Sequence, residues 1–452
     1  MFGLIVIALL VYMFRSVWTK LTSRPLPKLI ENAYWGPGNP PENPDTTIRE
    51  FKINFPGTHL VDLKYRLENV RPLVPPLEGI QQQYGMNTDL LKKVIAFWIK
   101  EYNWKERETY LNQYPQFKTK IQGLDIHYLH VKPKNPGNKK VVPLLIIHGW
   151  PGSVVEFYKV IPLFTDPQND RNFVFEVIAP NIPGYGFSQA AAKPGLGAAQ
   201  MATIFRNFMN RLGYDKFYCQ GGDFGAIILQ YLCLYYPESV LGYHTNMAIL
   251  GTASRLKTIL GVIRPSWIVK PEHHNRVYPL WQHFQSTMRE TGYLHLQATK
   301  PDTLGVGVTD SPAGLAAYIL EKFTSGTNIT WQKREDGGLD EKFTYTELLD
   351  NVMIYWLTGT ATTSFRLYSE TFNRSHGFLN SLGNPIEVPT AIARFKYDFY
   401  VADGVVRDVF KNLVQLNDFD GGHFAAWEEP RVFAKDVFDA VEKFEKIDKK
   451  RQ

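Results

Sequence analysis

Cysteine is nearly absent from this chain of 452 residues: Cys219 and Cys233 are the only two. A disulfide framework is therefore excluded as an organising device. Both fall in apolar runs and read as buried thiols. So few cysteines fit a reducing compartment, or one in which disulfides are not needed. No His/Cys set has metal-ligand spacing, and no glycine-rich phosphate loop follows the first strand of the α/β pattern. No metal and no cofactor are expected. A basic stripe with interleaved aromatics is also lacking, and the net charge of +6 is spread along the chain. A nucleic-acid partner is not expected. Internal repeats and low-complexity tracts are missing too, which leaves one large α/β domain with insertions, or two domains.

What the chain does have is apolar and aromatic surface, 44% and 14% of residues, enough for a sizeable core. Residues Phe2 to Phe14 are apolar apart from the Tyr12 hydroxyl, and Val17 and Trp18 extend the run past Arg15. Phe2 to Trp18 as a helix spans roughly 25 Å, enough for a bilayer if Arg15 snorkels. Arg15, Lys20, Arg24 and Lys28 all lie on its C-terminal side. The positive-inside rule then leaves the N-terminus outside and the bulk of the protein in the cytosol. No basic stretch precedes the run and no small-residue cleavage site follows it, so residues 1–20 are expected to be a signal anchor rather than a cleaved peptide. The sequons Asn328-Ile-Thr330 and Asn373-Arg-Ser375 go unused in that orientation.

Residues 21–115 are expected to form an extension that wraps the core. It opens with a Pro/Gly/Asn-rich linker to Asp45 and carries helical spacing over 58–70 and 88–102. A hairpin over 117–131, turning at Gly123, is expected to open the main sheet. From Val141 the rhythm is that of an α/β protein, with strands expected at 141–147, 173–179, 217–219 and 240–247. Helices are expected to begin at Val154 and to run over 200–212 and 226–236. Residues 248–383 break the rhythm with helical segments, turns and aromatics, and read as a cap inserted between the two core parts, 116–247 and 384–452. Strands at 387–395 and 413–416 and an amphipathic helix over 429–447 close the chain.

The segment Gln220-Gly-Gly-Asp223-Phe-Gly joins a short strand to a helix. Strand, tight turn and helix are the context of a nucleophile elbow, in which small neighbours, here Gly221 and Gly225, accommodate a strained central residue. Esterases carry serine at that centre; here it is Asp223. A carboxylate suits displacement at an sp3 carbon and leaves an alkyl ester. An Asp that merely caps a helix is the plainer reading. Partners decide between them. An α/β-hydrolase fold needs acid and histidine after the nucleophile, in that order. Asp398 and Asp403 both follow the strand at 387–395, Asp398 nearer its end. The turn Gly421-Gly-His423 exposes a histidine ahead of a helix.

In this reading Asp223 attacks carbon, and His423 activates water against the resulting ester. The acid, expected to be Asp398 with Asp403 as its rival, orients His423. The N–H groups of Trp150 and Phe224 hold the oxyanion. His148 is read as a structural hydrogen-bonding residue beneath the Trp150 loop.

The motifs His148-Gly-Trp-Pro-Gly-Ser, Gly-Gly-Asp223-Phe-Gly and Gly-Gly-His423-Phe-Ala-Ala resemble those of the microsomal epoxide hydrolases. Thr291-Gly-Tyr-Leu-His-Leu-Gln-Ala-Thr-Lys-Pro-Asp302 and Ala393-Arg-Phe-Lys-Tyr-Asp398 resemble the insect juvenile hormone members of that family. The resemblance runs the whole chain. It implies cofactor-free opening of an epoxide to a vicinal diol, and a place in the endoplasmic reticulum membrane. It also implies two cap tyrosines that protonate the leaving oxygen, at Tyr293 and Tyr368. Nothing in composition singles these out from 24 tyrosines. Phe224 stands where many members have Trp, and Asp398 where mammalian members more often have Glu. The expected substrate is a small lipophilic epoxide, juvenile hormone first by the resemblance, with lipid epoxides and xenobiotic oxides left open. A haloalkane dehalogenase would share the Asp elbow but would want indole donors for a halide. A non-catalytic carrier of lipophilic ligands would not need the Asp223, Asp398 and His423 set.

Overall fold

The computed structural model describes Tyr12 and residues 24–54, 56–373 and 378–451, with the side chains of 373 and 448–451 left out. The segment expected to anchor the chain in a membrane, residues 1–20, lies outside them apart from Tyr12. Among the described residues no helix is long and apolar enough to cross a membrane.

Nine strands form one mixed sheet: β1 Ile48–Phe51, β2 Gln116–Ile121, β3 Leu124–Val131, β4 Lys140–Ile147, β5 Phe173–Pro180, β6 Phe217–Gly221, β7 Val240–Thr245, β8 Thr390–Phe395 and β9 Leu413–Phe419. Their order is β1-β2-β3-β5-β4-β6-β7-β8-β9. The first four in that order pair antiparallel, and β5 onward is parallel. Strands β5, β6 and β8 are buried at every residue, which is why they are mostly apolar and do not alternate.

Helices of eight or more residues are numbered in chain order. The extension holds α1 Gly57–Glu68, α2 Thr88–Lys100 and α3 Trp104–Leu111; the core adds α4 Ala198–Arg211 and α5 Asp223–Tyr235. Between β7 and β8 come α6 Thr252–Leu260, α7 Leu280–Glu290, α8 Gly292–Thr299, α9 Pro301–Asp310, α10 Pro312–Thr327, α11 Tyr345–Thr358 and α12 Ala361–Tyr368. The chain closes on α13 Pro430–Arg451. No strand occurs among the described residues of 248–383, as expected of a helical cap. The insertion leaves the sheet at the C-terminal end of β7, and β4 and β6 end on the same side. That puts the cap over the strand ends where α/β folds place their sites.

Local chemistry explains several element ends. The Asn87 side chain accepts from the Asp89 N–H and starts α2. Thr344 and Glu347 form a reciprocal capping box on α11. The extension is clamped to the cap by Asp350 of α11, which is fully buried and paired with Arg107 at 2.6 Å. The Tyr102 hydroxyl donates to it at 2.8 Å.

Three expectations need correction. The hairpin 117–131 does not open the sheet, because β1 pairs outside β2. The strand at 387–395 begins only at Thr390, since Pro389 has no N–H to give a ladder. The elbow helix starts at Asp223 rather than Ala226, so the glycine-rich corner is already helical.

Candidate active site

Asp223 is the first residue of α5 and has φ 45°, one of three non-glycine residues described with positive φ. This left-handed backbone is costly for a residue with a Cβ and persists only where neighbours enforce it. Those neighbours are close. A Cβ at Gly221 would lie 2.6 Å from the Gly225 carbonyl carbon, and one at Gly225 only 2.0 Å from the Ile147 oxygen. Both positions therefore require glycine for packing, as expected of an elbow. Gly149 crosses the carboxylate just as closely: a Cβ there would fall 2.3 Å from Asp223 Oδ1.

The Trp150 N–H donates to Asp223 Oδ1 at 2.8 Å. Burial raises the Asp223 carboxyl above its ordinary value; the His423 charge and the N–H groups of Trp150 and Phe224 oppose that shift. His423 Nε2 lies 3.7 Å from Asp223 Oδ2, and its Nδ1 lies 2.9 Å from Asp398 Oδ1. Burial disfavours the imidazolium, but Asp398, Asp223 and Glu156 outweigh it and push His423 up to about 10. Asp403 is elsewhere. It pairs with Arg394 at 3.3 Å and accepts from the Tyr400 hydroxyl at 3.3 Å. Of the two acids left open by the sequence, the structure brings Asp398 to His423.

Tyr293 and Tyr368 come from α8 and from the last residue of α12, and both face this centre. The Tyr293 ring stacks on Trp150 with centroids 5.1 Å apart, and the Tyr368 ring stands edge-on to Phe224 at 4.7 Å. Burial raises both hydroxyls above their ordinary value, with the Asp223 charge acting in the same direction. Each is therefore a neutral donor at neutral pH. A π-helical turn, Ser369–Asn373, follows Tyr368 directly. Such turns recur at functional sites. His148 sits beneath the loop as expected. Its Nδ1 contacts the Gly149 oxygen at 3.0 Å, its Nε2 accepts from the Ile182 N–H at 3.3 Å, and burial lowers it to about 4.

Four further residues shape the site without having stood out in the sequence. Glu156 presses against the Trp150 loop, so that a Cβ at Gly152 would fall 1.3 Å from its Oε1. Burial raises it to about 8; His423 opposes that and Asp223 adds to it. It lines a cavity of about 20 Å³ together with Gln220, Asp223, Asn246 and His423, room for roughly one water. Glu428 accepts from the Gly422 and Phe424 N–H groups, both at 2.8 Å, and so grips the turn on each side of His423. Asn351 and Tyr355, one turn apart on α11, donate to the Pro151 and Gly152 oxygens at 2.7 and 2.8 Å. They tie the Trp150 loop to the cap.

On the other side of the carboxylate–imidazole pair lies a channel of about 420 Å³ between cap and core. Trp150, Tyr293, Asp398 and His423 form its inner end, and His283, Thr287 and Glu290 of α7 line it farther out. It is open to solvent on that side. Among the described residues no group of three or more His, Cys, Asp or Glu side chains is arranged to hold a metal ion. The assembly supplies a strained carboxylate, an imidazole braced by a second carboxylate, N–H donors and two neutral phenols. It can carry out displacement at carbon followed by hydrolysis of the ester so formed.

Known proteins resemble this chain over most of its length. A family model described as epoxide hydrolase N terminus matches residues 48–157, and one described as alpha/beta hydrolase fold matches residues 142–267. Juvenile hormone epoxide hydrolase 2 of Ctenocephalides felis is 52% identical over 423 residues, 93% of this chain and 90% of that protein. Epoxide hydrolase 1 of Oryctolagus cuniculus is 44% identical over 420 residues, 90% of this chain and 92% of that protein. The crystal structure of juvenile hormone epoxide hydrolase from the silkworm Bombyx mori superposes with a TM-score of 0.90 at 46% identity. It covers 93% of this chain and 100% of that one.

Proposed function

Since this chain belongs to the microsomal epoxide hydrolase family and is an epoxide hydrolase of the α/β-hydrolase fold, we propose that Asp223 is its nucleophile and that the reaction runs through an ester on that residue. One observation carries the reading: Asp398, His423 and Asp223 stand in line, with the Trp150 N–H on the nucleophile.

Oδ1 of Asp223 is held by Trp150, so Oδ2 is the free oxygen and attacks an epoxide carbon. The carbon–oxygen bond of the ring breaks, and the ring oxygen takes a proton from Tyr293 or Tyr368. The tyrosinate left behind regains its proton from the His423 imidazolium. That transfer is favoured at this moment because esterification removes the Asp223 charge, one of the anions that hold His423 protonated. Neutral His423 then takes a proton from water, whose oxygen attacks the Asp223 carbonyl carbon. The N–H groups of Trp150 and Phe224 stabilise the tetrahedral oxyanion. Its collapse returns Asp223 and releases the diol, with the proton delivered back by His423. Asp398 keeps the imidazole in the right tautomer throughout.

The substrate we propose is a lipophilic epoxide, juvenile hormone first, by analogy with the insect relatives and from the aromatic inner end of the channel. We also assign residues 1–20 as a single-pass anchor in the endoplasmic reticulum membrane, with the globule facing the cytosol. Behind it come the extension (21–115), the two core parts (116–247 and 384–452) and the cap (248–383). Glycan at Asn328 in cells would reverse that orientation.

The mechanism is tested by a single turnover in oxygen-18 water with enzyme in excess. Unlabelled diol, with label entering the peptide that contains Asp223, is expected. Labelled diol with unlabelled Asp223 would mean direct attack by water. No diol from any epoxide, with ligand still bound, would favour the carrier reading.

A further inference from the structure

Helix α7 is amphipathic in the inverted sense. Its polar positions His283, Thr287 and Glu290 line the channel, while Trp281, Phe284 and Met288, spaced i, i+3 and i+7, are each more than half exposed. None of its residues is buried. A surface helix of a globular protein normally turns its apolar stripe inward. The end of α6 and the tip after it expose apolar side chains as well: Leu260, Val262, Ile263 at 86% exposure and Trp267. Apolar patches on this scale mark interaction surfaces.

Two observations say what covers it. Between Thr252 and Met288 the chain carries five cations against one acid, Glu272; Lys257, Lys270 and Arg276 are answered by Asp408, Asp403 and Asp418 from the core, which leaves the tip's own Arg264. Arg264 lies over the exposed Trp267 ring at 5.1 Å. Exposed apolar and aromatic side chains with a cation among them suit the interface of a membrane with anionic headgroups. The second observation is where the described chain resumes after the N-terminal apolar run. The Arg24 oxygen accepts from the Asn384 side chain at 2.8 Å, and its guanidinium reaches Gly383. Gly383 abuts Gly251, the N-cap of α6. The described chain after the N-terminal apolar run thus resumes at Arg24 near the foot of α6, and the exposed apolar side chains begin at that helix's far end, about 13 Å away.

We propose that the outer face of α7 and the tip after α6 dock on a phospholipid bilayer and turn the channel mouth toward the lipid, so that substrate enters from the membrane rather than from water. This rests on the reading of the substrate as lipophilic. A polar inner face on α7 fits the same role: it lines the route inward while the apolar face stays in lipid.

The test uses the full chain on vesicles of phosphatidylcholine and phosphatidylserine. Fluorophores are placed singly at Ile263→Cys and Phe284→Cys, and for control at Asp170→Cys before β5, at the opposite end of the parallel strands. Both native thiols are buried. Nitroxides on lipid acyl chains are expected to quench the labels at 263 and 284 and to spare 170. Equal accessibility of all three to aqueous iodide on vesicles would overturn the proposal. So would shielding of 263 and 284 without lipid, which would mean that a second copy or the N-terminal run covers the face. In parallel, an Ile263→Asp, Phe284→Asp double variant is expected to raise KM about tenfold for a long-chain epoxide in vesicles and to leave turnover of a short water-soluble epoxide unchanged. Equal losses on both substrates would overturn it. A wild-type enzyme inert toward the soluble epoxide would instead count against the catalytic reading.

Discussion

Asp398 holds one edge of the His423 ring, 2.9 Å from Nδ1, and leaves the opposite edge toward Asp223. Asp398→Asn would remove the charge that stabilises the imidazolium and bring in an NH2 donor that, turned toward Nδ1, holds the imidazole in the wrong tautomer. Hydrolysis of the ester should slow about 100-fold or more, while formation of the ester is less affected. Rapid quenching and mass spectrometry of the Asp223 peptide should then show accumulated ester. A larger defect in Asp403→Asn than in Asp398→Asn would move the acid to Asp403.

Gly149→Ala tests how tightly the nucleophile is placed. The backbone there has no positive φ to object to a side chain, but the new Cβ would fall 2.3 Å from Asp223 Oδ1. The carboxylate must move, and displacement by about 1 Å can cost roughly 100-fold. Single-turnover ester formation should fall by that order with the unfolding midpoint little changed. Ester formation at the wild-type rate would show that the carboxylate has room to spare.

Tyr293→Phe and Tyr368→Phe keep the ring contacts with Trp150 and Phe224 and remove only the hydroxyls. Each should slow ester formation by about tenfold or more, and the pair together by about 100-fold or more. The rate of ester hydrolysis should not follow. If the double variant opens epoxides as fast as wild type, the leaving oxygen is protonated by something else.

Glu156 contributes stability that falls as pH rises. Its folded value of about 8 lies above the ordinary 4.5, so between these limits the folded state holds a proton that the unfolded chain has released. Glu428 behaves alike, with burial again the main cause and a value of about 8. His423 extends the decline. Its value of about 10 lies above the ordinary 6.5, so its contribution is complete below 6.5 and is lost on the way to 10. Glu156→Gln should therefore lose less stability than wild type between about pH 4.5 and about pH 8, read as urea midpoints across that range. Parallel curves for the two proteins would refute the assignment.

The sequence was most legible where geometry demands particular residues. The elbow could be found because Gly221 and Gly225 have no space for a Cβ, and His423 because Gly422 has none either: a Cβ there would lie 2.4 Å from the Gly326 oxygen. The core strands were legible because parallel strands are buried on both faces. Strand β1 was missed because Ile48–Phe51 is a four-residue edge strand, largely exposed, with no apolar signature. Glu156 and Glu428 were missed for the opposite reason. Their importance comes from burial, and a glutamate in a helix-like stretch carries no mark of burial. The tyrosines needed the family resemblance, since a ring that faces a site and one that packs a core follow the same helical spacing. Asp398 and Asp403 could be separated only by the path of the chain after β8, which puts one beside His423 and the other beside Arg394.

Asn351 and Tyr355 reach from the cap to the two carbonyls that follow Trp150. Those two bonds make the position of the Trp150 N–H depend on where α11 rests. The donor that touches the Asp223 carboxylate is thus set from above, by a helix of the insertion, as well as from below by the strand that precedes it.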